Sequence, residues 1–227
     1  MLPLNDTEPN RYSFFPIMTV LLIVVNCFIF YVEPFIVDDY WNFLMKFGTT
    51  PVLILETRGG GALSNITTMF LHGDLFHLLG NMLPLWVFGR RVEDACGSWR
   101  YFAFYLFAGT WANISYVLVL DDSPIPGIGA SGAIFGLMGA YLLLYPSGRI
   151  RTLGFLNIIP FWPRIRALWI VLYFLGLQII PAIEVLLENA HYRVNYWAHL
   201  GGFFSAIFIL LFLRPEAYAR YFSDVSV

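Results

Sequence analysis

Charge is what this sequence has least of. Of its 227 residues, 12% are Asp, Glu, Lys or Arg, about half the share a soluble globular domain carries. With 13 basic and 15 acidic residues there is no surplus to attract nucleic acid, and no basic run long enough for a polybasic lipid site. Cysteine is nearly absent: Cys27 falls in an apolar stretch and Cys96 in a polar one, so no disulfide is expected. Gly59-Gly60-Gly61 is followed by no lysine or serine at the offset of a phosphate loop and reads as a turn. Internal repeats and low-complexity segments are lacking. Residues 1–11 lack the Arg- and Ser-rich pattern of a transit peptide, and no small-residue cleavage site follows the first apolar run, which is expected to be retained. His72 and His77 are joined by no third ligand at membrane depth, so neither a metal nor another cofactor is expected.

What the sequence has in abundance is apolar length, 59% of all residues. Several runs approach or exceed the roughly 20 residues that cross a bilayer. The expected fold is all-α, a polytopic membrane helix bundle of six transmembrane helices at about 14–35, 75–88, 99–120, 131–145, 165–187 and 196–213. This divides the chain into a short cytoplasmic segment (1–13), a membrane domain (14–213) and a cytoplasmic tail (214–227). In the long connection 36–74, the cluster Trp41, Phe43, Leu44 and Met45 suits either the headgroup layer or packing on the spans. Ten basic residues, from Arg11 to Arg220, fall on the side of the termini. Three, Lys46, Arg58 and Arg193, fall on the other. The positive-inside rule then places both termini in the cytoplasm and runs spans two, four and six from outside to inside.

Polar side chains at membrane depth are costly and face a cavity or a partner. Four lie within the first two turns of those three descending spans: His77 and Asn81, four apart on one helix face, then Ser131, then His199. Asp74 is a plausible N-cap for the second span. The plainer reading of Ser131-Gly132-Ala133-Ile134-Phe135-Gly136 is a small-xxx-small packing row. Packing does not require four polar groups in one layer; a nucleophile does. A serine hydroxyl needs a base, which His199 can be, and attack on a carbonyl makes an oxyanion needing donors, which His77 and Asn81 can be. No Asp or Glu lies in this layer, so a dyad is expected, with His199 oriented by packing or by an unidentified hydrogen bond. Span four is short, about 22 Å against roughly 30 Å of hydrocarbon. Its N-terminus is therefore recessed, and the backbone before Ser131 must be buried or line a wet cavity. His191 and the neighbours Glu93, Asp94, Arg90 and Arg91 read as solvated.

Over nearly its whole length the chain resembles a rhomboid intramembrane serine protease. The residues that carry this are Phe70-Leu71-His72-Gly73, His77-Leu78-Leu79-Gly80-Asn81-Met82, Val87-Phe88-Gly89, Gly129-Ala130-Ser131-Gly132 and Ala198-His199-Leu200-Gly201-Gly202-Phe203. The resemblance implies Ser131 as nucleophile, His199 as its base, His77 and Asn81 as oxyanion donors, and His72, Gly129, Gly132 and Gly202 as structural residues near the site. It also implies transmembrane proteins as substrates in the lipid bilayer, cut near the outer membrane boundary, without metal or nucleic acid. A bacterial cell membrane is the expected location. Two features depart from the family's pattern: no arginine follows Trp41 in the first outer loop, and Gly202-xxx-Ala206 stands where Gly-xxx-Gly is common. A catalytically inactive relative that binds membrane helices is the alternative, disfavoured because Ser131 and His199 are both present. A transporter or proton channel would need polar groups through the full depth of the membrane, and the inner halves of these spans are apolar.

Overall fold

In a computed structural model the described residues are 2–7, 10–13, 15–57, 61, 63–156, 159–188 and 194–223. His191, Gly59, Gly60, Arg58 and Arg193, named above, lie outside them. The chain runs β1 (Leu2–Asp6), α1 (Ile17–Ile36), α2 (Tyr40–Phe47), α3 (Pro51–Glu56), α4 (Ser64–Thr67) with a 3-10 turn at Thr68–Phe70, then α5 (Leu75–Pro84). A π-turn at Leu85–Gly89 leads into α6 (Arg90–Cys96), followed by α7 (Ser98–Val119) and α8 (Ser131–Leu144). Three strands come next, β2 (Arg149–Leu156), β3 (Ile159–Phe161) and β4 (Arg164–Arg166). Helices α9 (Ala167–Glu188), α10 (Tyr196–Ser205), a 3-10 stretch (Ala206–Phe212) and α11 (Pro215–Phe222) complete the chain.

Among the described residues, α1, α7 and 167–187 of α9 are long and apolar enough to cross a membrane. The bent pair Tyr196–Phe212 and Pro215–Phe222, with 103° between its parts, makes a fourth if read as one span. Two of the six expected spans therefore differ in build from one uninterrupted α-helix. The second is α5 joined to α6 through the π-turn, where Pro84 donates no backbone hydrogen bond and the ladder shifts register. The last is α-helical only to Ser205 and continues as 3-10 helix.

Helix α8 is at the centre, buried almost all round, as its uniformly apolar surface requires. It packs between α7 and α10. Small residues allow the close approach: a Cβ on Gly202 would run into the Gly132 backbone, and one on Gly139 would meet Ala206 Cβ at 2.7 Å. Ala206 therefore already fills the space that the more common glycine would leave open.

The all-α expectation needs a correction. Strand β2 pairs antiparallel with β1, β3 and β4, so residues 2–6 join a small sheet. The sheet follows from alternation in Arg149-Ile150-Arg151-Thr152, where Ile150 and Thr152 are buried and the arginines exposed. Arg149 pairs with Arg166 and Arg151 with Arg164, so four arginines share the exposed face.

A second correction concerns the charges before α7. Arg91, Glu93 and Asp94 are buried, not solvated. Glu93 accepts from the N–H groups of Met18 and Thr19, both at 2.8 Å, and so caps the first turn of α1 with a carboxylate. Asp94 accepts from the N–H groups of Arg11, Tyr12 and Ser13. Arg91 lies 3.7 Å from Asp6, which also accepts the Tyr141 hydroxyl. Cys96 ends α6 fully buried. The Arg214 N–H bonds the Ala95 carbonyl at 3.1 Å, bringing the C-terminal segment to the same end. In the first connection, Leu44 of α2 is buried while Trp41 is 57% exposed, so that helix packs by one edge and bares the other.

Candidate active site

Each polar group of the predicted layer is placed by its own local device. Asp74 caps α5 as expected, accepting from the His77 N–H at 2.8 Å. Asn195 caps α10, accepting from the Ala198 N–H at 3.0 Å and fixing the start of the turn that carries His199. Helix α8 begins at Ser131 with no side-chain cap among the described residues, and the first N–H groups of a helix have no partner within it.

The irregular chain leading to Ser131 is held from both sides. Thr49 and Gly127 exchange backbone hydrogen bonds, the Tyr116 hydroxyl donates to the Ile125 carbonyl at 2.6 Å, and the Gly129 N–H donates to the Thr68 carbonyl at 2.9 Å. This non-helical backbone therefore has protein partners at its depth, as a recessed helix start needs. Gly129 has φ +117°, and a Cβ there would come within 2.6 Å of His77 Nε2 and 3.5 Å of Asn81 Nδ2. Only glycine satisfies both the backbone angle and the space.

These devices bring the predicted groups together. Ser131 Oγ lies 2.7 Å from His199 Nε2. Both line a cavity of about 460 Å³, with His77 and Asn81 of α5 on its wall. The Asn81 amide nitrogen is buried and has no hydrogen-bond partner among the described residues. The Gly73 N–H donates to His77 Nδ1 over a long 3.4 Å, which leaves Nε2 as the protonated nitrogen and a donor. Buried His72 packs its ring steeply against that of His77, with 5.0 Å between centroids and 67° between planes. Gly132 and Gly202 sit in the α8–α10 contact.

Two neighbours of His199 escape a reading of the sequence. Phe135, one turn below Ser131 on α8, stacks on the imidazole at 4.7 Å and 11°. Gln178 of α9 brings Oε1 to 2.7 Å from His199 Nδ1. A lone amide inside an apolar helix was the signal available for Gln178. Phe135 gives none, because it is apolar among apolar residues. Earlier on α9, Phe174 lines the cavity, whereas Trp169 and Tyr173 face outward.

The arrangement can remove a hydroxyl proton, attack an electrophilic carbon, and meet the negative charge that develops with nearby donors. Residues 60–216 match the model of the rhomboid domain. RHOMBOID-like protein 5 of Arabidopsis thaliana is 31% identical over 66% of this chain and 44% of its own length. Rhomboid protein 1, mitochondrial, of Saccharomyces cerevisiae is 30% identical over 71% of this chain and 44% of its own. The Rhomboid protease GluP of Bacillus subtilis is 43% identical over 39% of this chain and 18% of its own. The chain thus aligns with less than half the length of each. Relatives named as mitochondrial or chloroplastic stand beside the bacterial one, so the expected bacterial cell membrane gains no support from them.

Proposed function

The chain belongs to the rhomboid family, and from that premise we propose that it is an intramembrane serine endopeptidase that cuts transmembrane proteins near their outer membrane boundary. The observation that carries this is the 2.7 Å contact between Ser131 Oγ and His199 Nε2 in a cavity shared with two oxyanion-type donors. His199 takes the Ser131 proton as Oγ attacks the scissile carbonyl. The carbonyl oxygen becomes an oxyanion and accepts from the Asn81 amide, His77 Nε2–H and the first N–H groups of α8. The tetrahedral intermediate collapses, His199 hands its proton to the leaving amine, and water from the cavity hydrolyses the acyl-serine by the same route. The contact between base and nucleophile disfavours an inactive helix-binding relative.

Six membrane crossings with both termini in the cytoplasm fit the mutual bonding of the segments. The N-terminal strand bonds to the α8–α9 connection, the segment 11–13 to Asp94, and Arg214 to Ala95, which gathers these segments at one end. The backbone bridge between Thr49 and Gly127 ties the first and second outer connections at the other.

The test is labelling with a serine-directed fluorophosphonate alongside cleavage of a model transmembrane substrate. Native protein should do both, and Ser131→Ala and His199→Ala should do neither while still inserting and folding. Undiminished cleavage by either variant would refute the dyad.

A further inference from the structure

We propose that Gln178 is a positioning residue that holds His199 in the tautomer with Nδ1 protonated, leaving Nε2 free to take the Ser131 proton. This rests on the reading of Ser131 as nucleophile and His199 as base.

The inference follows from which atoms can donate. Gln178 Nε2 donates to the Phe174 carbonyl at 2.9 Å, one turn back on α9. A backbone carbonyl only accepts, so the NH₂ group must point at it, and this settles the orientation of the amide. Oε1 is then the atom 2.7 Å from His199 Nδ1. An amide oxygen also only accepts, so Nδ1 must carry the proton. In a neutral imidazole the other nitrogen is then the bare one, and that nitrogen, Nε2, faces Ser131 Oγ at 2.7 Å. The chain from the α9 backbone to the nucleophile thus runs in one direction, each donor meeting an acceptor.

Phe135 and Gln178 divide the task of holding the ring. Stacking at 4.7 Å fixes the plane of the imidazole, and the two hydrogen bonds fix its rotation within that plane. When Nε2 takes the Ser131 proton, the imidazolium still has both N–H groups satisfied or aimed at reacting atoms. A carboxylate would do the same with more electrostatic help. Gln178 is only 7% exposed, however, and an ionised carboxylate buried in apolar surroundings carries a large desolvation penalty that a neutral amide avoids. The base is therefore held by a helix other than its own, and the seating of α9 against α10 becomes part of the catalytic geometry.

Two substitutions of similar size separate positioning from packing. Gln178→Leu suits an apolar helix but offers Nδ1 no acceptor. Gln178→Glu, neutral when buried, can still donate to the Phe174 carbonyl and accept from Nδ1. Positioning predicts that Gln178→Leu lowers kcat and the labelling rate together by at least about tenfold, toward the ~10⁴-fold that a wrong tautomer costs a serine triad, with KM little changed. It also predicts that Gln178→Glu retains more activity than Gln178→Leu. A packing role predicts the reverse order. Equal activity of Gln178→Leu and native protein, or Gln178→Glu falling below Gln178→Leu, would overturn the proposal. Nitrogen NMR of ¹⁵N-histidine-labelled protein reads the tautomer without activity, and only four histidines need assignment. His199 should show a protonated Nδ1 and bare Nε2 in native protein, and a mixed population in Gln178→Leu. A protonated Nε2 in the native protein overturns the inference even if cleavage is normal. Absent cleavage with the expected tautomer would fault the proposed function and leave the positioning role intact.

Discussion

Replacing Gly136 by alanine adds one methyl group in a place that is closed on two sides. Gly136 faces α7 and α10 at once. A Cβ there would lie 2.6 Å from Ala108 Cβ on α7, 3.0 Å from Ser205 Oγ and 3.1 Å from the Gly202 carbonyl oxygen on α10. Carbon atoms in contact sit at roughly 3.5–4.0 Å, so the α7 side is short by roughly 1 Å. The methyl cannot turn away, because α10 closes the opposite side. Overpacking of this kind costs about 1–3 kcal/mol.

The effect on the site should exceed the effect on stability. Gly136 lies about 7.5 Å along α8 from Ser131, and Gly202 is three residues from His199 on α10. Any parting of α8 from α10 lengthens the 2.7 Å contact between Oγ and Nε2. A misplacement of about 1 Å costs on the order of a hundredfold in rate. Gly136→Ala should therefore unfold at a lower denaturant midpoint in mixed micelles and label with fluorophosphonate about a hundredfold more slowly. Gly176→Ala is the matched control: it makes the same substitution on α9, where, among the described residues, no heavy atom beyond its own turn of helix lies within 4 Å of the added Cβ. It should raise the stability by up to about 1 kcal/mol, since alanine is the better helix former, and leave labelling unchanged. Native behaviour of Gly136→Ala in both assays would refute the close-packing argument. So would equal damage from Gly176→Ala.

Asn81→Ala should lower turnover by on the order of a hundredfold, the loss of one oxyanion donor, while Ser131 still labels because its contact with His199 is intact. Loss of all labelling in a folded Asn81→Ala protein would make Asn81 part of the scaffold. Glu93→Ala should act on the opposite end of the molecule. It strands the Met18 and Thr19 N–H groups and the Thr19 and Ser98 hydroxyls, at about 1–3 kcal/mol for each group left unsatisfied. The expected outcome is a several-kcal/mol loss of stability in denaturant titration with an unchanged labelling rate per folded molecule. An unshifted midpoint would show that α1 does not need the carboxylate.

The layer Ser131, His77, Asn81 and His199 is legible in the sequence because each residue interrupts an apolar helix at a countable distance from its start. Helix rise converts that count into depth, and the Asp74 cap that sets one of the starts is itself a local signal. Gln178 resists the same treatment. It lies in the middle of α9, so its level relative to His199 depends on how far α9 slides along α10, which no local pattern fixes. The four exposed arginines of β2 and β4 resist it for a similar reason: Arg149 and Arg166 become neighbours only through strand register. Glu93 and Asp94 look solvated beside Arg90 and Arg91, yet their partners are backbone N–H groups 74 to 83 positions earlier in the chain. The groups proposed to react are announced by their type and their depth. Groups that orient them work through helix-to-helix register, and that is a property of the assembled bundle. The tautomer of His199 belongs to the second kind. Under the proposed function, whether Ser131 meets a bare nitrogen or a protonated one turns on a carbonyl on α9, two hydrogen bonds from the imidazole.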